Sequence, residues 1–321
     1  MIKITVSPND SGQKLFKYLK KDLCSADDGF IRKMLRKKNI VLNSKKADGR
    51  EELNAGDEIT LFFSDETYAK MSRKSRGPDI DEGYSLNIVY EDEEVLIVNK
   101  PSGVLSQRDK SGVMSINEYC LDHCLKNGSY DPDKDGNFTP SVCNRLDRNT
   151  SGLIIFAKNY RSFRTLSGSI KEGRIEKYYI TAVCGCTLDK GILKDWYIKD
   201  EALNRALVFA ENRAGSKEIE THYEKLSGTE DASLLRVRLI TGRTHQIRAH
   251  MAYIGHPVIG DPKYGNRAVN EEFRRRYKVK YQLLHSAELR FPEFEGILQG
   301  ISNKRFLADI PGIYIKIFGE I

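Results

Sequence analysis

Apolar residues near the start of the chain recur at helical spacing. Leu15, Phe16, Leu19 and Leu23 share one face of residues 13–23, and Lys14, Lys17 and Lys21 lie on another. Ser25 with Asp28 has the form of a capping box. It predicts a second helix over 29–38 that buries Phe30, Ile31, Met34 and Leu35 and exposes Arg32, Lys33, Arg36 and Lys37. A short strand over 40–42, the pair Lys45–Lys46 and a turn at Asn54-Ala55-Gly56-Asp57 lead into a strand over 59–63. Residues 64–85 carry few apolar side chains and a Gly77-Pro78 pair, which predicts a mobile linker. From Leu86 the pattern changes. Strands are expected over 87–90 and 95–99 around an acidic turn, then a helix over 114–126 and a polar loop over 128–139. An unbroken apolar run, 153–157, has the length and branching of a buried strand. A helix over 164–171 follows, with strands over 177–183, 195–209, 218–226, 233–239 and 283–291. The chain thus divides into a small module (1–63), a linker (64–85) and a large domain (86–321).

Composition changes this picture only in part. The 321 residues, 40% hydrophobic and 30% charged, are enough for one large core or for a large and a small one. Fifty-two Lys and Arg against 45 Asp and Glu leave a formal charge of +7, small enough that placement matters more than size. No apolar run is long enough to span a membrane, and the opening MIKITVSPND lacks the apolar stretch of a signal peptide. The expectation is a soluble, cytoplasmic protein without a membrane partner. The six cysteines are not spaced as zinc-ribbon pairs and read as reduced packing residues. Asp131, Asp133, Asp135 and Gly136 imitate half a calcium loop, but its closing position is Val142, so an ordinary acidic loop is expected.

Two features carry candidate chemistry. Around residues 32–46 the charges are almost all positive. Clustered Lys and Arg bind phosphate backbones through counterion release, which points Arg32, Lys33, Arg36, Lys37, Lys45 and Lys46 toward a nucleic acid. The second feature is SVCNRLDRNTSGLIIFAKN, residues 141–159. It places Asp147 between Arg145 and Arg148, ahead of a small polar run and the buried strand. Guanidiniums beside a carboxylate favour its ionised form. Further on, GRTHQIRAH (242–250) spaces His245 and His250 five apart, not the four of a zinc helix, so no metal is expected.

The two stretches and the strand between them form one ordered set. Asn144-Arg145-Leu146-Asp147 with Thr150-Ser151-Gly152-Leu153, Lys177 with Tyr179 and Ala182, Gly242-Arg243-Thr244-His245-Gln246-Ile247-Arg248, Gly260-Asp261, Tyr264-Gly265 and Leu284-His285 resemble the RluA-type family of RNA pseudouridine synthases. The likeness runs from about Leu86 onward. Asn144 stands where that family usually has His. Residues 31–61 resemble the S-four-like RNA-binding domain, a combination similar to the subgroup that modifies large-subunit ribosomal RNA.

The resemblance implies an α+β fold, with a mixed, mostly antiparallel sheet, flanking helices and a small N-terminal α/β module. It implies a uridine isomerase that breaks the glycosidic bond, turns the uracil and rejoins it through carbon five, with no cofactor. Its catalytic residues map to Asp147 as the carboxylate, Arg243 as the basic partner and Tyr179 as the stacking tyrosine. Arg145, Ile247 and Arg248 are then RNA contacts. The partner implied is RNA, ribosomal before transfer RNA, and a monomer is expected. A catalytically silent RNA-binding or ribosome-assembly factor is the alternative, and the presence of Asp147, Tyr179 and Arg243 together argues against it. A glycoside-type hydrolase would need a second carboxylate, and these motifs supply none.

Overall fold

A computed structural model of the chain describes residues 1–72, 84–109, 112–132 and 136–320. The small module contains strands β1 (Ile2–Thr5), β2 (Ile40–Leu42), β3 (Lys45–Lys46) and β4 (Glu58–Leu61) with helices α1 (Leu15–Asp22) and α2 (Asp28–Arg36). The strands form one sheet in the order β1-β4-β2-β3. Leu15, Leu19, Ile31, Leu35, Ile40 and Ile59 meet in its core, so both helices bury the faces their periodicity marks. The cap of α2 is Asp27, whose carboxylate accepts from Phe30 N at 2.7 Å. The expected Ser25–Asp28 box is not used.

The stretch read as a linker opens with helix α3 (Asp65–Met71). Ser64 caps it, Asp65 and Glu66 face its positive end, and Tyr68 and Met71 pack on the module. Half of the expected linker, residues 73–83, lies outside the described residues, as does part of the calcium-like loop, 133–135.

The large domain contributes β5 (Ile88–Glu91), β6 (Val95–Lys100), β7 (Ser141–Val142), β8 (Ser151–Ala157), β9 (Glu176–Cys184), β10 (Lys190–Asp200), β11 (Arg205–Phe209), β12 (Lys217–Gly228), β13 (Ala232–Leu239), β14 (Leu284–Arg290) and β15 (Arg305–Leu307). Its helices are α4 (Ile116–Lys126), α5 (Tyr160–Lys171), α6 (Gln246–Tyr253), α7 (Arg267–Tyr277) and α8 (Gly312–Phe318). The 195–209 stretch divides into the β10–β11 hairpin because the chain turns at residues 201–204. The path of the sheet is β11-β10-β12-β13-β9-β14-β8-β6-β5, with β7 on β8 and β15 on β14. Among the named strands of the described residues only the β14–β8 pair is parallel, as a mixed, mostly antiparallel sheet requires.

Strand β8 is buried at every residue. Ile154 and Phe156 face a core shared with α4 and α6, and Leu153, Ile155 and Ala157 face one shared with α5. Cover on both faces explains why the run is continuously apolar instead of alternating. Cys120 and Cys124 are buried packing residues, and all six cysteines are free. Among the described residues no helix is long and apolar enough to cross a membrane.

The module is seated on the large domain. The Asp10 carboxylate, fully buried, accepts from Asn137 N at 3.0 and 3.1 Å, from Gln13 Nε2 at 2.8 Å and from Ser7 Oγ at 3.0 Å. Asn137 Nδ2 donates to Asp22 Oδ1 at 3.3 Å. Phe138 lies edge-on to Tyr160 of α5, with the Lys21 ammonium 5.1 Å from its ring centre.

Candidate active site

Asp147 sits in the turn between β7 and β8, and several groups hold that turn. Ser106 Oγ accepts from Leu146 N at 2.9 Å and donates to Leu146 O at 2.7 Å. Lys100, at the end of β6, is completely buried, and its ammonium donates to the carbonyls of Pro101, Val104 and Arg148 at 3.0, 2.8 and 3.1 Å. Burial pushes this lysine down to about 7, against the charge of Asp147. Asn144 ties the incoming strand to β8: its Oδ1 accepts from Ile155 N at 2.8 Å and its Nδ2 donates to Leu153 O at 3.3 Å. An amide supplies one acceptor and a donor there, so Asn in place of the usual His makes a structural tie.

The cation on Asp147 comes from 101 residues away. Arg248 Nη1 donates to Asp147 Oδ2 at 2.7 Å. The other edge of the same guanidinium binds Asp261, Nε to Oδ2 at 2.6 Å and Nη2 to Oδ1 at 2.9 Å. Asp261 also accepts from the backbone N–H groups of Lys263 and Tyr264. Burial alone would raise the Asp261 carboxyl, but the Arg248 hydrogen bonds and charge outweigh it and hold it below its ordinary value. Arg248, expected as an RNA contact, is buried in the wall of the cleft: its side chain is 6% exposed and both sides of its fork are occupied. The basic partner of Asp147 is Arg248 and not Arg243, whose side chain is exposed at the mouth of the cleft. Arg145 is exposed at the same mouth, and Arg148 turns away to donate to Gly103 O at 3.0 Å. Neighbours in sequence need not face one another across a turn, which is why neither of them clamps the acid.

Helix α6 delivers Arg248 because its first turn is pinned. His245 takes the left-handed backbone, φ 56°, just before the helix. Gln246 Oε1 accepts from Arg243 N and Thr241 Oγ1, and its Nε2 donates to Glu220 O and Thr221 Oγ1. One turn on, His250 is fully buried between Thr221 Oγ1 at 3.0 Å and Asp195 Oδ2 at 2.8 Å. It is a structural bridge from α6 to β10 and β12, and no sequence pattern marks it as one.

The cleft over Asp147 has a volume of about 670 Å³. Tyr179 of β9 and Ile247 of α6 line it, 6% and 4% exposed, and both belong to the main core. Burial pushes the Tyr179 hydroxyl up to about 12, with the Asp147 charge adding to it. The ring is therefore a neutral apolar wall. Of the expected residues, Asp147, Tyr179, Ile247, Arg145, Arg243 and Arg248 all reach this cleft. Arg32, Lys33, Arg36, Lys37, Lys45 and Lys46 do not line it and lie exposed on the small module. Sequence reasoning does not find Lys100 as a support; Asp261 and Tyr264 enter it only as members of the resembling motifs, with Asp261 thirteen residues after Arg248. Among the described residues no group of His, Cys, Asp and Glu is placed to hold a metal ion.

Known proteins resemble this chain along most of its length. Residues 94–253 match the RNA pseudouridylate synthase family model. An uncharacterised RNA pseudouridine synthase of Mycoplasma genitalium is 33% identical over 82% of this chain and 80% of its own length. The ribosomal large subunit pseudouridine synthase D of Buchnera aphidicola is 31% identical over 87% and 86%. The corresponding synthase C of Rickettsia bellii is 33% identical over 79% and 83%. A solved human protein, RNA pseudouridylate synthase domain containing 4, superposes with a TM-score of 0.56 over 71% of this chain and 90% of its own, and at 18% identity it speaks for the fold. By a relative one-third identical along most of both chains, this protein belongs to the RNA pseudouridine synthase family.

Proposed function

We propose that the protein isomerises a uridine of large-subunit ribosomal RNA to pseudouridine, with Asp147 as the reacting carboxylate. The observation that carries this reading is the placement of Asp147. It sits in a cleft roomy enough for a nucleotide, beside an apolar wall of Tyr179 and Ile247, with its charge met by the buried Arg248. The target uridine leaves its stack to enter such a cleft, as base-modifying enzymes require. The bond from ribose C1′ to N1 breaks and one from C1′ to C5 forms. The C5 proton leaves, N1 gains one, and no atom is lost overall. Asp147 serves this either by adding to the sugar or ring or by taking a ribose proton, and both roles need the carboxylate form.

Tyr179 and Ile247 confine the detached ring while it turns, and Arg248, oriented by Asp261, keeps the carboxylate aimed. Arg145 and Arg243, exposed at the mouth, are suited to phosphates of the flipped strand. The small module, read as S-four-like, supplies Arg32, Lys33, Arg36, Lys37, Lys45 and Lys46 as the outer RNA anchor. Ribosomal RNA is chosen because the Buchnera and Rickettsia relatives are named for the large subunit. The test is Asp147→Asn. Pseudouridine formation on large-subunit RNA is expected to disappear while RNA affinity stays within a few-fold; turnover by the variant would overturn the assignment.

A further inference from the structure

One buried chain of hydrogen bonds ends at the cleft without serving Asp147 or Arg248 directly. His245 Nδ1 lies 3.0 Å from Tyr264 Oη, and Tyr264 Oη lies 2.6 Å from Ala206 N on β11. Ala206 N–H can only donate, so it takes a lone pair of the Tyr264 oxygen. Tyr264 is buried, and His245 Nδ1 is the acceptor within reach of its single proton, so the hydroxyl is assigned as the donor to Nδ1. Burial raises the Tyr264 hydroxyl, which keeps that proton in place. His245 Nδ1 is thus an acceptor, and the neutral ring carries its proton on Nε2.

Nε2 lies 3.9 Å from Asp147 Oδ1, too far for a hydrogen bond. His245 lines the same cleft, and among the described residues Nε2 meets no acceptor at hydrogen-bond distance. A donor held in one tautomer beside the reacting carboxylate matches the carbonyl oxygens of a uracil ring.

We propose that His245 is a fixed neutral donor to a carbonyl oxygen of the target uracil, with its tautomer set by Tyr264 and the Ala206 backbone. This rests on Asp147 being the reacting carboxylate. It also gives the β10–β11 hairpin, which carries Ala206, a part in reading the base. The groups that face His245 are Asp147 from the β7–β8 turn, Arg248 on α6, and Asp261, Lys263 and Tyr264 from the following turn. Lys199 of β10 and Arg243 before α6 line the same cleft, and the Arg205 guanidinium of β11 lies 5.1 Å from the Tyr264 ring centre. Burial lowers the His245 ring, helped by Arg248 and Lys263 and opposed by Asp147 and Asp261. A second proton would have to enter at Nδ1, where Tyr264 already donates. Protonation would also turn the ring into an ion-pair partner for Asp147 and withdraw the donor from the base.

The experiment is single-turnover pseudouridine formation on large-subunit RNA across pH 5.5–8.5. His245→Ala is expected to lower the rate about 10- to 100-fold, the worth of one hydrogen bond to a reacting ring, with RNA affinity unchanged. His245→Gln restores an N–H donor that cannot titrate. It should recover about tenfold of that loss and flatten the acid side of the profile. Tyr264→Phe removes the donor to Nδ1 and should shift the acid limb to higher pH. Wild-type rates for His245→Ala would overturn the proposal. So would equal losses in all three variants with an unchanged pH profile, which a purely structural histidine would give. If the wild-type protein forms no pseudouridine, or Asp147→Asn still forms it, the fault lies with the underlying functional reading and not with His245.

Discussion

At the scale of single residues, the two arginines of the GRTHQIR stretch separate sharply. Arg243 is exposed, and Arg248 is a buried fork shared by Asp147 and Asp261. Planar guanidinium geometry lets one side chain hold two carboxylates, and an ammonium cannot reproduce it. Arg248→Lys is therefore expected to leave the fully buried Asp261 short of a partner. A cost of about 2–4 kcal/mol in urea unfolding follows, with at least about a hundredfold loss of turnover in the folded fraction. Arg243→Ala should change stability by less than about 0.5 kcal/mol and weaken RNA binding instead. Reversal of that pattern in unfolding curves would refute the assignment of Arg248 as the buried partner. That an acid, a tyrosine and a basic motif belong together is legible in the sequence. Which arginine meets the acid is not, because ion pairing across 101 residues depends on the turn of α6 and on Asp261, and neither has a local pattern.

At the scale of elements, the legible parts are those with strong periodicity. Helices α1, α2 and α4 and strands β8, β9, β13 and β14 lie close to where apolar spacing puts them. Helix α6 is not anticipated as a helix. Six of its eight residues are buried, Gln246, Arg248 and His250 among them, so its amphipathic signal is weak. The role of Gly152 is legible only as a small residue before a strand. In the fold it has φ +112° and lies where β8 meets β14 in parallel, and a Cβ there would run into the backbone N and O of Ser286. Ser286 is also the β14 residue opposite Tyr179, so this one close approach brings the acid's strand and the tyrosine's strand to the same place. Gly152→Ala combines a disfavoured backbone with an overpacked backbone contact. A loss of about 3 kcal/mol or more in thermal or urea unfolding is expected from the two together. A variant as stable as the parent would mean that β8 and β14 are not locked at this point.

At the scale of the whole molecule, composition implies a small basic module beside a large domain, and a loose tether is the natural reading of residues 64–85. The module is also held by a polar lock that no periodicity encodes: Asp10 receiving the Asn137 N–H, Asn137 reaching Asp22, and Arg164 of α5 paired with Glu52 at 3.3 Å. A seated module holds its cations at a fixed distance from the cleft, which saves the ordering cost of a free tether when RNA binds. Gly136 is the tightest point, since a Cβ there would overlap the Asp10 carboxylate. Gly136→Ala is therefore expected to push the module off its seat without touching the cleft. Small-angle scattering should show a larger radius of gyration, and RNA affinity should fall several-fold while bound RNA still turns over at the parent rate. Removing residues 1–72 goes further by deleting the six cations assigned to RNA along with the rest of the module. Each phosphate that no longer meets a protein cation lowers the slope of log affinity against log salt by about 0.7–0.9, so three such phosphates would reduce it by about 2 to 3. An unchanged slope after the deletion would show that the module anchors no RNA. An unchanged radius for Gly136→Ala would show that Asp10 is not what holds it in place.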